Sequence, residues 1–404
     1  MLLTLPTLPQ HCTSFARAAA SSSTSCPATP SPFTPSFGVS PPVLVGRDEQ
    51  IDTFRDALNA GVGDPGRAML LTGPRGAGKT VTLNALEDIA RDQGWRVISE
   101  TTRPGLAQEL VQSTLPDLLW QLDPDADTAR VTGVQASAAG FGAGITRDIA
   151  QRYDAQPTLR SLVTAAADLL DRQGVGLLLT LDEVHTAAVA DLRQIAQVVQ
   201  HAFREGRQVA FVGAGLPSAV DDLLNDEVLT FLRRAERFTL ADVDPEDVAH
   251  ALRVPIENAG RAISEDALEV ATAGTRGYPF LVQLVGRHVW DARPDEPTIT
   301  VADARAGVEQ ARRRVGRLVH EPALAGLSQV DRSFLAAMAT DDGPSRMRDI
   351  AGRLGVSQVY AGQYRLRLIA AELIRPAGHG HVDFALPYLR EWLREHVATW
   401  TYSS

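Results

Sequence analysis

The chain has 404 residues, of which 44% are hydrophobic and 22% charged, a composition that suits a globular protein of two or three domains. Its formal charge of −10 excludes a general affinity for polyanions, so any nucleic-acid contact needs a local basic patch. The only cysteines, Cys12 and Cys26, precede the expected body. This excludes a disulfide or a cysteine-based metal site there.

Targeting signals are not expected. No apolar run reaches the roughly 18 residues that a membrane helix needs. The apolar start lacks a basic region and is interrupted by Pro6 and Pro9, which argues against a secretory signal. Together with the cysteine usage, these features predict a cytoplasmic protein.

Residues 1–40 are rich in Ser, Thr, Pro and Ala without periodicity, and we predict a disordered tail. A start codon placed too far upstream is the alternative, so translation of residues 1–31 stays open. The body begins at Val43, and Asp48 can cap a first helix whose apolar positions share one face.

Short apolar strands then alternate with helices over residues 41–243. Strands are predicted at 68–72, 95–99, 175–181, 208–212 and 237–240. Helices are predicted after Lys79 and at 104–122, 158–173, 189–204 and 216–232. The glycine-rich stretch 123–156 is expected to be an inserted loop or hairpin that covers the functional site described below. Such alternation predicts an α/β fold with a doubly wound parallel sheet.

Two further domains are expected. Residues 244–320 read as helix throughout, consistent with a helical lid. In residues 321–404, apolar spacing predicts three short helices, the third beginning after the N-cap Ser357. A hairpin should follow, with its turn at Gly378-His379-Gly380.

The first chemical motif is Gly73-Pro74-Arg75-Gly76-Ala77-Gly78-Lys79-Thr80, which follows a strand and opens a helix. It is the full phosphate-loop (P-loop) pattern: glycines allow a tight turn, and main-chain N–H groups at the helix start face phosphates. Lys79 is the only lysine in the chain, and it stands where a point charge meets the β- and γ-phosphates. We therefore predict ATP binding with Mg²⁺, to which Thr80 would contribute its hydroxyl.

A second motif lies roughly 100 residues further on, where the apolar strand Leu177–Leu181 ends in Asp182 and Glu183. A solvated acidic loop is the alternative explanation. After a P-loop, the expected roles are Asp182 in the Mg²⁺ shell and Glu183 as the general base that activates water.

These motifs, with Val45-Gly46-Arg47 before the first helix and Gly277-Tyr278-Pro279-Phe280 in the lid, resemble the AAA-type P-loop ATPases of the origin-recognition class and the related STAND ATPases. The resemblance spans about residues 42–290. It implies a five-stranded core with the P-loop strand central, a helical lid and nucleotide at their junction. It also implies that Val45 and Arg47 contact the adenine.

The sequence departs from this family at the fourth strand, Phe211–Gly215, which has no polar sensor residue at its end. Efficient hydrolysis is therefore an open question. A trans-acting arginine finger could come from Arg233, Arg234 or Arg237, although surface arginines are equally expected in this arginine-rich chain.

The order of elements in residues 321–404 resembles a winged helix-turn-helix. Gln358 and Arg365 share a face of its third helix, while Arg367 points towards Tyr360 and Tyr364. All three of Gln358, Arg365 and Arg367 are candidate DNA contacts. The region is neutral, with nine arginines and nine acidic residues, so docking to a protein is an equal alternative.

The favoured hypothesis is a slow ATPase that acts as a nucleotide-dependent switch, signals through the winged helix and assembles into homo-oligomers with ATP. One alternative is an initiator-like DNA-binding ATPase. Another is a nucleotide-gated protein scaffold with little hydrolysis.

Overall fold

The computed structural model describes residues 30–36, 38–124, 157–217, 220, 224 and 230–400, with the side chains of 230, 231 and 397–400 left aside. Within this part of the chain, no helix is long and apolar enough to cross a membrane. The loop expected over 123–156 lies, apart from its first two residues, outside the described residues. So does most of the helical stretch expected at 216–232.

A five-stranded parallel sheet forms the centre of the N-terminal half, with the order β2-β3-β4-β1-β5. The P-loop strand β1 is flanked by β4 and β5, so it is an interior strand. The strand bounds are β1 Ala68–Thr72, β2 Arg96–Thr101, β3 Leu177–Asp182, β4 Val209–Gly215 and β5 Glu236–Thr239. This confirms the predicted doubly wound α/β fold: β1 has the predicted ends, and the ends of the other strands are shifted by one to three residues.

Helices cover both faces of this sheet, because strands buried on both sides need apolar partners on each face. Met69 and Leu71 point to one face, where they pack with residues of α1 and α2. Leu70 points to the other face, towards α4, α5 and α6. The bounds are α1 Asp48–Ala60, α2 Lys79–Asp92, α3 Leu106–Glu109, α4 Leu115–Leu122, α5 Leu159–Asp171 and α6 Val189–Arg204.

A second apolar core is built by four helices that follow the sheet, which we call the lid helices. They are α7 Pro245–Asn258, α8 Glu265–Thr275, α9 Pro279–Asp291 and α10 Val301–Val315. The expectation of helix alone was wrong here. Strands β6 (Ala262–Ile263) and β7 (Thr298–Ile299) form a small parallel pair, because Ile263 and Ile299 both bury their side chains in this core.

A third core belongs to the C-terminal module, the described residues 321–400. After a short α11 come three helices, as the apolar spacing predicts, and Ser357 caps the third by accepting a hydrogen bond from the Tyr360 N–H at 3.2 Å. Strands β9 and β10 form the hairpin, and β8 pairs with β10. The bounds are α11 Glu321–Leu324, α12 Gln329–Ala339, β8 Ser345–Arg346, α13 Met347–Leu354, α14 Gln358–Ala370, β9 Ile374–Pro376, β10 His381–Phe384 and α15 Leu389–Trp400.

The segment before α1 differs from the disordered tail expected through residue 40. Phe33 is 1% exposed and belongs to the core of the lid helices. It lies so close to Gly286 that a Cβ there would come within 2.5 Å of its ring. Further along, the Asn84 side chain donates a hydrogen bond to the Gly38 carbonyl at 2.9 Å. Burial of this one aromatic side chain fixes a segment that otherwise has a disordered composition.

Candidate nucleotide-binding site

The predicted phosphate loop connects β1 to the N-terminus of α2. Gly76 and Gly78 have φ angles of +74° and +90°, a region that side chains disfavour. The Lys79 ammonium is buried and donates to the main-chain carbonyls of Gly73 at 2.7 Å and Pro74 at 3.1 Å. The loop is therefore a tight turn wrapped around its own lysine.

Two motifs that are far apart in sequence meet at this loop. The Thr80 hydroxyl donates to Oδ2 of Asp182 at 2.6 Å, and Oδ1 of Asp182 accepts the N–H of Glu183 at 2.8 Å. A hydroxyl and a carboxylate oxygen side by side are the hard oxygen ligands that Mg²⁺ prefers. The donor set at this point fits that ion.

Glu183 stands in a strained turn at the end of β3. Its φ of +55° is uncommon for a residue with a side chain, and such outliers concentrate at functional sites. The Thr102 hydroxyl donates to the Glu183 carbonyl at 2.5 Å. The side-chain carboxylate is 40% exposed and lies 3.2 Å from Nδ1 of His185. The turn thus presents a carboxylate to the site while neighbouring polar groups hold its backbone.

The missing sensor residue has a steric explanation. A Cβ on Gly215, at the end of β4, would come within 2.4 Å of the Val184 side chain. Val184 itself is buried directly after Glu183. The turn that carries the two carboxylates therefore packs onto the bare main chain of β4, where a polar side chain would not fit.

A cavity of about 570 Å³ extends from the loop to the lid helices. Lys79, Thr80 and Glu183 line its polar end, and Val45, Pro279 and Phe280 line an apolar part. Thr34, Pro35, Ser36, Gly38, Val39 and Pro41 from the segment before α1 also contribute to its wall. Its volume and mixed lining suit a ligand with an aromatic base and charged phosphates.

Arg47, for which the resemblance implies an adenine contact, uses its guanidinium to bond the main chain. Its guanidinium is buried and donates to the carbonyls of Ala77 at 2.9 Å and Ala241 at 3.0 Å. Burial lowers its pKa, and Asp242 partly offsets this. Although Arg47 borders the cavity, its described bonds tie the phosphate loop to the segment after β5. Val45 is the better placed of the two for an apolar base.

Arg75 of the phosphate loop is bound from two sides by residues that sequence reasoning did not assign to the site. The Tyr278 hydroxyl donates to its carbonyl at 2.7 Å, and the phenol has a raised pKa because it is buried. A carboxylate oxygen of Glu372, in the C-terminal module, accepts its N–H at 3.0 Å. Tyr278 belongs to the Gly-Tyr-Pro motif of the lid, so the sequence offered a signal for it. No local pattern in the sequence indicates Glu372.

The three candidate finger arginines lie at or before the edge strand β5. Arg233, Arg234 and Arg237 are all exposed. Arg233 donates to the Leu224 carbonyl at 2.7 Å, and Arg237 donates to the Arg233 carbonyl at 3.0 Å. No described hydrogen bond joins any of them to the phosphate loop of the same chain.

The candidate DNA contacts on α14 differ in availability. Gln358 is exposed at the start of the helix and Arg365 is half-buried. Arg367 is already engaged, since its guanidinium pairs with Asp331 and lies 5.0 Å from the centre of the Tyr364 ring. The predicted direction of Arg367 therefore agrees with the structure, but its charge is neutralised within the module.

The comparisons with known proteins concern the domain that carries this site. Residues 43–212 match the family model described as AAA ATPase domain. The fold resembles the Walker-type ATPase paby2304 of Pyrococcus abyssi (14% identity, TM-score 0.60, 87% of this chain and 96% of that one). It also resembles the ORC2 protein of Aeropyrum pernix, solved as ADPNP–ADP complexes (15% identity, TM-score 0.58, 90% and 97%). No curated protein matches the sequence.

Residues 43–212 are thus similar in sequence to AAA ATPase domains, and their sheet with its phosphate loop has the fold of a P-loop ATPase; this match supports ATP hydrolysis. Residues 317–393 match a separate family described as a domain of unknown function (DUF8462). That match covers most of the C-terminal module.

Proposed function

We propose that this protein is a slow ATPase that works as a nucleotide-dependent switch. The observation that carries the proposal is the Gly-Tyr-Pro segment of the lid helices. Tyr278 holds the phosphate loop through the Arg75 carbonyl, while Pro279 and Phe280 line the adjoining cavity. A nucleotide in this cavity would contact both the lid helices and the five-stranded sheet with its covering helices, which we call the sheet domain. Its binding would therefore bias how the lid helices sit on the sheet domain.

The chain offers groups for phosphate binding, metal binding and general-base catalysis. Main-chain N–H groups of residues 73–80 and the Lys79 ammonium would bind phosphate oxygens. Thr80 and Asp182 would hold Mg²⁺, which supplies charge neutralisation when bound. Glu183 would accept the proton of the attacking water. Slow turnover is consistent with Gly215 in place of a polar sensor, because one stabilising group is then missing from the site.

We further propose the domain bounds 41–243, 244–320 and 321–404, and a winged helix-turn-helix for the last of them. Helices α12, α13 and α14 followed by the β9–β10 hairpin have the order of that motif. ATP-dependent assembly of copies would let an exposed Arg233 or Arg234 reach a neighbouring site. The cytoplasm is the proposed location.

A protein target is favoured over DNA for the C-terminal module. On α14, Val359 is 81% exposed and Leu366 is 64% exposed, whereas the charge of Arg367 is paired. Apolar exposure on a helix is typical of protein contacts, and DNA binding depends on unpaired cations. If the module binds a protein and the chain hardly hydrolyses ATP, the protein would act as a nucleotide-gated scaffold.

The test is ATP turnover and anisotropy of a random DNA duplex, measured with and without a slowly hydrolysed ATP analogue. We expect weak duplex binding without nucleotide and, if arrayed modules do contact DNA, stronger and salt-sensitive binding with the analogue. Arg365→Ala should then weaken duplex binding and leave ATP affinity intact. Absence of duplex binding in both states at about 50 mM salt would reject the DNA role. Turnover that rises with duplex would favour the initiator-like alternative.

A further inference from the structure

Glu372 brings a carboxylate from the C-terminal module into the phosphate loop. It lies in the turn between α14 and β9, 297 residues from Arg75, whose main-chain N–H it accepts at 3.0 Å. Glu372 is only 9% exposed. Its other oxygen, Oε1, is buried and has no hydrogen-bond partner in the described part of the chain. A buried carboxylate with one free oxygen is costly unless a cation faces it.

The Lys79 ammonium, which is bonded to the loop carbonyls of Gly73 and Pro74, is the cation that acts on this carboxylate through its charge. Burial lowers the pKa of Lys79, and the charges that oppose this effect are led by Glu372, ahead of Glu183 and Asp182. In return, burial raises the pKa of Glu372, and Lys79 is the first of the groups that counteract the rise. The charges of the phosphate-loop lysine and of this carboxylate from the C-terminal module therefore act on each other.

The backbone at Glu372 is held in an unfavourable conformation. Its φ is +57°, where glycine is the usual residue. Its N–H closes the end of α14 by bonding the Ile369 carbonyl at 2.9 Å. A strained residue persists only where surrounding contacts maintain it, and such residues concentrate at switches. Here the contact with the phosphate loop is the described interaction that uses the side chain.

We propose that Glu372 competes with the terminal phosphates of the nucleotide for the phosphate loop, so that nucleotide binding releases this corner of the C-terminal module. This inference rests on the proposed function, because it needs nucleotide in the loop. Phosphate oxygens bind the main-chain N–H groups of such a loop and its lysine, and Glu372 already occupies one of these N–H groups, that of Arg75. Two anions cannot share them without strong repulsion.

The contacts between module and lid helices decide what moves. Glu391 pairs with Arg276, Glu395 pairs with Arg312 at 2.9 Å, and the Tyr388 hydroxyl donates to the Gly274 carbonyl at 2.7 Å. These bonds remain when Glu372 leaves the loop. Displacement of Glu372 would therefore free this corner of the module from the phosphate loop while the module stays attached to the lid helices.

Glu372→Gln is the first test, because it keeps size and acceptor oxygen while removing the charge. Loss of a charge-assisted contact should lower the Kd of the slowly hydrolysed ATP analogue about tenfold, since release and nucleotide binding are reciprocally linked. ADP, which keeps one terminal phosphate, should show a smaller gain. AMP should bind with equal affinity to wild type and variant. Glu395→Gln is the matched control, since it weakens an exposed contact of the module with Arg312, away from the loop, and should leave every Kd unchanged.

The second test uses the wild-type chain, so it does not depend on how a variant folds. Amide hydrogen exchange in residues 371–376 should speed up when the analogue is added, and AMP should have no such effect. An unchanged analogue Kd in Glu372→Gln, or unchanged exchange in a nucleotide-bound wild type, would overturn the inference and leave the proposed ATPase intact. If neither wild type nor Glu372→Gln binds the analogue, the proposed function itself fails.

Discussion

The Thr80 hydroxyl and the Asp182 carboxylate lie 2.6 Å apart, although 102 residues separate them in sequence. They meet because α2 starts at the end of β1, and β3 ends at the same edge of the parallel sheet. In such sheets the carboxyl ends of the strands form the ligand site. The first three predictions below depend on a contact at this edge or on a segment that packs beside it.

Replacing Lys79 with alanine should abolish tight nucleotide binding. Lys79 is the only lysine in the chain, and a charge-assisted contact with phosphate is worth roughly 1.5–3 kcal/mol, which is a loss of tenfold to more than a hundredfold in affinity. Titration calorimetry with Mg²⁺ and a slowly hydrolysed ATP analogue measures this. Arg172→Ala, on the exposed end of α5, is the control and should bind normally. Tight binding by Lys79→Ala would remove the site assignment.

Replacing Glu183 with glutamine should retain ATP binding and stop hydrolysis. The amide keeps the shape of the side chain at its left-handed position but cannot accept the proton of water. We expect a loss of about 10²–10⁴-fold in single-turnover rate, with the Kd for ATP unchanged within about twofold. Normal hydrolysis would show that Glu183 is not the base. A wild type without turnover would instead favour the scaffold, with Gly215 as the structural cause.

Phe33→Ala should destabilise the protein and weaken ATP binding together. The ring is buried in the core of the lid helices, where Phe→Ala changes typically cost about 3–5 kcal/mol. Residues 34–36 follow directly and line the cavity, so their release should also raise the Kd. Thermal melting and calorimetry measure both effects. Deletion of residues 1–29, whose composition predicts no core contribution, is the control. A melting temperature that falls as much in the deletion as in Phe33→Ala would contradict this account.

His320 should make stability depend on pH. Burial lowers its pKa to about 4, while the Pro387 carbonyl, 2.9 Å from Nε2, and Glu391 oppose the effect. In the unfolded chain the His320 imidazole has a pKa near 6.5. Between pH 6.5 and 4 the unfolded state therefore binds more protons than the folded state does. Stability from this group is therefore present above pH 6.5 and is lost as the pH falls towards 4.

The non-titrating variant His320→Gln isolates this effect. Between pH 7 and pH 5, the wild type should lose about 2 kcal/mol more of its free energy of unfolding than the variant does. Urea denaturation at the two pH values measures the difference. Equal losses in both proteins would mean that His320 titrates normally in the folded state.

Much of the fold follows from local patterns in the sequence. The strand Ala68–Thr72 and the helix Val189–Arg204 have the bounds predicted, because apolar periodicity and caps act over a few residues. The phosphate loop could also be predicted from the sequence, because its chemistry needs consecutive residues. Asp182 and Glu183 were also identifiable, since a buried strand that ends in acidic residues is a local signal.

Tertiary structure decided the contacts that join distant segments. Arg47 matched an adenine contact by position, yet its guanidinium binds the Ala77 and Ala241 carbonyls, since burial demands hydrogen-bond partners for every donor. Phe33 is a single aromatic residue in a segment whose composition is typical of disorder. Only the space that Gly286 leaves for its ring explains why the segment is ordered. Glu372 carries no local signal at all. Its place at the phosphate loop arises from the packing of the C-terminal module, and sequence periodicity does not encode such long-range geometry.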